Sequence, residues 1–406
     1  MPAMTASLAL ALGLSLLGMS RLAAEDWPQF LGPLRDGTTS DEALVSAWRR
    51  GLLRVLWRAP VGVGYSGLAV VGERLYGMDM VQGDEFAFAR LAADGRELWR
   101  VRTAPSPPDV YGGVGPRVTP SVADGRVFTL GADGSVWCLD AGSGRVLWRR
   151  ALREELGFRP PAEGAAASPL VADGRVYLMN GGRNGRAFLA LDAADGRTVW
   201  AVHDDHPSYA SPVRLDAHGV AQALFLGGTA LFALEAATGR LLWRYPWPTT
   251  DFVNAATPLV VGPDRIFISS GHDQGAALLR VHQEGNGLGV LEVWRNREMR
   301  NHFNNSVAHA GVLYGFDNAL LKALDLETGK PLWRERGFGK GSLVRVDEHL
   351  VVLGEDGELA LVEPSRDGLR VKVRQSVLAG RSWTPPSVAS GRVYLRGLEE
   401  VVVLLP

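Results

Sequence analysis

ALDAADGRTVW, residues 190–200, decides how this chain is read, because close copies of it recur at 138–148 (CLDAGSGRVLW), 233–243 (ALEAATGRLLW) and 323–333 (ALDLETGKPLW). ARLAADGRELW at 89–99 is a weaker copy. Trp57 in LLRVLWRAP and Trp294 in LEVWRN stand at the same phase with degraded turns. Successive members of the set Trp57, Trp99, Trp148, Trp200, Trp243, Trp294 and Trp333 lie 39 to 52 residues apart. That period is the length of one propeller blade.

Working outward from the motif, each unit has the same internal order. TPSVADGRVFTL, 119–130, reads as strand, tight Asp-Gly turn, strand. A short turn, ADGS, leads to VWCLD, and a second tight turn, AGSG, leads to RVLWRR. Four antiparallel strands make one blade. The motif acid (Asp140, Asp192, Glu235, Asp325) is placed to accept backbone N–H bonds across the turn. The motif glycine (Gly144, Gly196, Gly239, Gly329) supplies a positive φ. The tryptophan supplies a large apolar surface for packing one blade on the next, which each blade needs because it is apolar on both faces.

First strands begin near Ser66, Thr119, Ser168, Ser211, Thr257, Ser306, Leu343 and Pro386. The seventh unit, 341–377, keeps the strand rhythm and lacks the Trp. The last segment provides three strands, and residues 53–61 provide a lone strand ahead of the first full unit. Three plus one completes an eighth blade, with the N-terminal strand pairing in the C-terminal blade and protecting its edge. The expectation is an all-β, eight-bladed β-propeller of four-stranded antiparallel blades spanning 53–406, after a lead-in segment at 25–52.

The pattern A-x-D-x-x-T-G-x-x-x-W resembles the tryptophan-docking motif of the quinoprotein (PQQ-like) propeller repeat family. WPQFLGPLRDG, 27–37, is similar to the stretch that precedes the propeller in exported members. The resemblance covers the chain from residue 27 onward. At fold level it extends to the eight-bladed BamB-type propellers of outer-membrane β-barrel assembly, whose lipidated cysteine has no counterpart here. The alcohol-oxidising quinoproteins hold their cofactor with Ca²⁺, carboxylate and amide side chains, an Asp base and often two adjacent cysteines. This chain has a single cysteine, Cys138, so an internal disulfide, a CxxC knuckle and a haem attachment site are excluded. No cofactor is expected, PQQ with Ca²⁺ being the alternative.

Lys plus Arg number 43 against 44 Asp plus Glu. That balance leaves no basic footprint for nucleic acid and no polybasic membrane patch. The first 20 residues carry no charged side chain, and an apolar run from Leu8 to Leu17 precedes Leu22-Ala23-Ala24. This predicts a signal peptide over 1–24, or an uncleaved anchor as the sole membrane contact, and a periplasmic or secreted protein.

Loop lengths locate the candidate site. Links from first to second strand and from third to fourth strand are short, whereas the other two classes are longer and emerge together on the opposite face. DMVQGDEF (79–86), the connection 104–117, GGRNGR (181–186), HDDHPSY (203–209), GHDQG (271–275), NHFNN (301–305) and GRSW (380–383) are assigned to that face. Tyr65, Arg117, Tyr209, Asn254, Asn304 and Trp383 precede innermost strands and should ring the channel mouth, with Arg381 beside them. Asn254, Asn304 and Arg381 are the residues available for cofactor contact. The bland alternative is that this ring solvates a water-filled channel. HDDH (His203 to His206) offers ligand-type side chains, but adjacent residues diverge, so no metal site is assigned. GYSGL at 64–68 opens a strand and lacks the helix that a nucleophile elbow requires. His206 or His302 with Tyr209 offers proton transfer in principle, without supporting spacing. The expected function is a monomeric, non-catalytic exported scaffold that binds protein or peptide partners through its elaborated face, with envelope protein assembly as a candidate setting. The alternatives are a PQQ/Ca-dependent dehydrogenase and a small-molecule or glycan binder.

Overall fold

Two glycine-containing turns shape most of the blades. At the first, Asp124-Gly125 and Asp173-Gly174 all lie at positive φ, the conformation that matches strand twist in a two-residue hairpin. At the second, Gly144, Gly196 and Gly239 take φ of 72°, 75° and 74°. The computed structural model describes residues 26–106, 113–182 and 184–406. Within them the chain forms eight separate antiparallel sheets. Blade one is Ala69–Val71, Arg74–Val81, Asp84–Leu91 and Glu97–Pro105. Blade seven, without a motif Trp, still has four antiparallel strands, from Ser342–Val346 to Leu369–Ser376. DMVQGDEF is a correction: 79–86 is not a loop but the continuous hairpin of blade one's middle strands, turning at Gln82-Gly83.

Blade eight is built from both ends of the chain. Ser387–Ala389, Arg392–Arg396 and Glu400–Leu405 are completed by Arg54–Pro60, which pairs with Glu400–Leu405 from Arg54↔Leu405 to Pro60↔Glu400. Arg396, fully buried, ties this blade to blade one. Its three guanidinium nitrogens donate to the carbonyls of Gly64, Met78 and Gly62.

In all eight sheets the two outer strands slip register at the same place, beside the motif position. Such a bulge re-aims the side chain next to it. There it turns the Trp onto the following blade. The indole N–H of Trp57, Trp99, Trp148, Trp200 and Trp294 donates to the carbonyl of Ala92, Ala141, Ala193, Ala236 and Leu326, one blade ahead. The same rings cover the motif glycine of that blade: a Cβ on Gly196 would stand 2.7 Å from the Trp148 ring. Trp243 departs from the pattern and bonds Gln222 of its own blade. Its receiving turn sits at the tip of a longer hairpin, Gly275–Glu284 with Gly287–Asn296. In blade seven, Val373 pairs with Leu361 beside the bulge and so holds the Trp position.

The lead-in crosses the short-turn face. Trp27 exchanges two backbone bonds with Val70 of blade one, and Pro28 accepts from Val122 of blade two. Thr38–Thr39 adds in parallel to blade seven. Asp41 caps the helix Glu42–Trp48 and also accepts from Gly391 of blade eight. Trp48, fully buried, joins the apolar cluster between blades seven, eight and one, against which Val373 packs. No helix among the described residues is long and apolar enough to cross a membrane. The predicted leader, 1–24, lies outside the described residues.

Candidate functional site

A ring of short polar side chains joins the innermost strands. Gly67 N–H donates to Thr119 Oγ1, Thr119 to Ser168 Oγ, Ser168 to Ser211 Oγ, Ser211 to Thr257 Oγ1 and Thr257 to Asn305 Oδ1. On the far side Thr384 Oγ1 reaches Tyr65 O. These residues sit where one blade hands over to the next, so each side chain serves a neighbour's backbone rather than its own. Five of them precede a proline: Thr119-Pro120, Ser168-Pro169, Ser211-Pro212, Thr257-Pro258 and Thr384-Pro385. Proline extends the preceding residue, which opens its N–H toward the adjacent blade. That recurring dipeptide is the signal by which the sequence could have identified the ring.

Above the ring a cavity of about 440 Å³ opens on the face of the longer links. Its wall is a run of rings. Tyr65 stacks on Trp383 at 5.7 Å, Phe303 lies 4.7 Å from Trp383, His302 5.2 Å from Phe303 and His272 5.4 Å from His302. Tyr209, Val253 and Ala255 line it as well, and Phe30 of the lead-in reaches it from the opposite face. Arg117, Lys340 and Glu163 are its charged lining residues. Arg117 is held over the Tyr65 ring at 5.4 Å by bonds to Gly113 O and Gly115 O. Trp383 is fixed by an indole bond of 2.9 Å to Glu355, whose other oxygen accepts the Lys340 N–H.

The structure brings Tyr65, Arg117, Tyr209 and Trp383 together around this cavity. Asn254 does not face it: it is fully buried, donating to Gly227 O and Trp247 O and accepting from Ser270. Asn304 is buried too and donates to Gly341 O. Arg381 is exposed, with its guanidinium 4.4 Å above the Trp383 ring. Both asparagines lie at strand handovers where backbone carbonyls need partners, and their amide N–H groups serve them. Phe30, His272, Phe303 and Lys340 were not singled out by position, because each comes from a different link and only the closed ring unites them.

Protonation is quiet here. Burial first, then Lys340 and His272, push the His302 imidazole down to about 4, so it is neutral near pH 7. Burial raises the Tyr209 phenol. The cavity thus presents neutral rings plus two cations and one acid, without a base and an acid matched for proton transfer. Calcium takes six to eight oxygen ligands, largely carboxylate. Glu163 is the single carboxylate among the lining residues, and no group of three or more His, Cys, Asp or Glu converges among the described residues. This donor set does not fit a calcium ion beside a quinone.

The HDDH loop disperses. His203 meets Gly239 O, Asp204 accepts from Gly185, Asp205 is buried against Thr229, and His206 stacks on Phe252. Cys138 is buried in the core, and burial raises its thiol to about 12.

Comparison with known proteins gives one family. A family model described as outer membrane protein assembly factor BamB matches residues 87–335. The outer membrane protein assembly factor BamB of Xanthomonas campestris is 28% identical over 337 residues, covering 78% of this chain and 80% of that protein. Among solved structures, BamB from Moraxella catarrhalis superposes with a TM-score of 0.63 at 17% identity, covering 88% of this chain and 98% of that one. The quinohemoprotein alcohol dehydrogenase of Comamonas testosteroni superposes with a TM-score of 0.66 at 14% identity, covering 93% and 80%. At those identities the two structural matches speak for the fold alone.

Proposed function

Because the chain belongs to the family of the outer membrane protein assembly factor BamB, we propose that it is an exported, non-catalytic propeller scaffold in envelope protein assembly. It binds protein or peptide partners through the face of its longer links. The observation that carries this reading is the aromatic wall Tyr65–Trp383–Phe303 at the mouth. Large rings that open to solvent on one side and are braced by hydrogen bonds on the other are the usual anchors of a protein interface. Arg117 and Lys340 add positive charge beside them, which suits a partner segment carrying a carboxylate next to an apolar side chain.

The test is photocrosslinking from the two faces of the ring. A crosslinker replacing Phe303 should capture defined partners from the envelope fraction of producing cells. The same group replacing Asp195, in a short turn, should capture none of them. Equal capture from both positions would remove the mouth from the reading. The quinone alternative is tested by titrating the mature protein with PQQ and Ca²⁺ while following Trp fluorescence and melting together. No saturable response is expected. Micromolar or tighter binding with a melting shift would replace the scaffold by a dehydrogenase.

A further inference from the structure

Two guanidinium groups are fully buried among the described residues, and their surroundings differ. Arg396 satisfies all three nitrogens on backbone carbonyls. Arg35 is 3% exposed and makes one hydrogen bond, from Nη2 to Ser168 O at 3.0 Å. Among the described residues its Nε and Nη1 have no partner, and no carboxylate forms an ion pair with it. Position explains the burial. Gly37, two residues on, is bonded to Arg345 of blade seven, while the Arg35 side chain reaches Ser168 of blade three. The guanidinium therefore crosses the central channel, beneath the residues that seal the short-turn face.

A buried, uncompensated cation is among the costliest arrangements a fold can hold. A second observation shows what would compensate it. Thr119, Ser168, Ser211 and Thr257 are buried, and each hydroxyl oxygen accepts a backbone N–H from the neighbouring strand. Among the described residues none of the four donates its own proton to a protein acceptor. Ser168, whose carbonyl takes the Arg35 Nη2 bond, is one of these four. Burial also lowers the guanidinium, to about 9, in keeping with a cation that lacks an acidic neighbour.

The geometry points to an internal binding site for a small inorganic anion of halide type, held in the channel by Arg35 Nε and Nη1 with hydroxyl donors of the ring. The lead-in crosses the channel below the site, and the aromatic cavity, which Phe30 and Ser211 line, lies above it. The site is independent of partner binding at the mouth. It makes the anion a link between the lead-in and the inner strands of blades two to four.

The full mature chain is melted at matched ionic strength in sodium chloride, sodium bromide or sodium gluconate, and crystals grown from bromide are examined for anomalous signal. The expected result is an upward Tm shift with halide concentration that gluconate does not reproduce, and a bromide peak within hydrogen-bond distance of the Arg35 guanidinium. Arg35→Met should melt at one temperature in all three salts, and Arg35→Lys should retain part of the shift. A Tm indifferent to halide, a halide response that survives in Arg35→Met, or bromide found only elsewhere would each overturn the site. If Arg35→Met does not fold, the bromide map and the wild-type melting series decide the matter without it.

Discussion

At the residue scale the motif glycine has two duties that a sequence pattern merges into one. Gly196 and Gly219 both have φ of 75°. A Cβ on Gly219 would meet nothing within 4 Å, whereas one on Gly196 would press into the Trp148 ring. Gly219→Ala should therefore cost only the left-handed strain, about 1–2 kcal/mol. Gly196→Ala should cost a further ~1–3 kcal/mol from overpacking, read as the difference in urea midpoints. Glu85 supplies a pH prediction. Burial raises its carboxyl from 4.5 to about 7, only partly offset by the Ala132 N–H it accepts. The folded state then holds a proton that the unfolded chain releases above pH 4.5, so this residue's contribution falls as pH rises from about 4.5 to 7. Glu85→Gln should flatten the Tm profile across that window, and an unchanged profile would assign the dependence elsewhere. The single thiol, Cys138, should resist alkylation until the protein unfolds.

At the element scale, the missing Trp of blade seven has a structural cause. A motif Trp settles on the turn between the third and fourth strands of the next blade. Blade eight has no such turn, because those two strands come from opposite ends of the chain. Val373 suffices there, and Trp48 of the lead-in helix fills the space in the same cluster. Trp48→Ala should thus destabilise as much as Trp148→Ala does, about 3–5 kcal/mol, although it lies outside every repeat. Ser168→Ala strips the acceptor from the Thr119 N–H and should cost about 1–3 kcal/mol. Amide exchange at Thr119 should speed up more than at its neighbours.

The same examples show what was legible in the sequence. The motif tryptophans, the blade order and the two-ended closure could be read because each is a local pattern repeated at fixed spacing. The cavity was half legible. Tyr65, Arg117, Tyr209 and Trp383 could be placed by counting back from innermost strands, but Asn254 and Asn304 occupy equivalent positions and are consumed by backbone groups. Phe30 and Trp48 belong to a segment without periodicity, whose course is set only by the completed ring.

At the scale of the whole molecule, the eight blade-to-blade connections are all continuous, and the one non-covalent seam lies inside blade eight. The seam is the ladder between Arg54–Pro60 and Glu400–Leu405, reinforced by Arg396. Ending the chain after Gly397 should remove that ladder and split a single cooperative transition. Urea unfolding followed by circular dichroism and by Trp fluorescence should then no longer coincide. Coincident curves would mean that the remaining blades cooperate without closure.

The two-ended blade also sets the order of events when the chain is made. The strand at 54–60 is synthesised among the first and finds its partner among the last, so it waits as an open edge while seven blades form. An exposed edge recruits whatever strand is at hand. The edge therefore stays open until residues 400–405 are available to pair with it. A chain interrupted before residue 400 keeps that edge exposed, whereas one that reaches residue 405 can shut it.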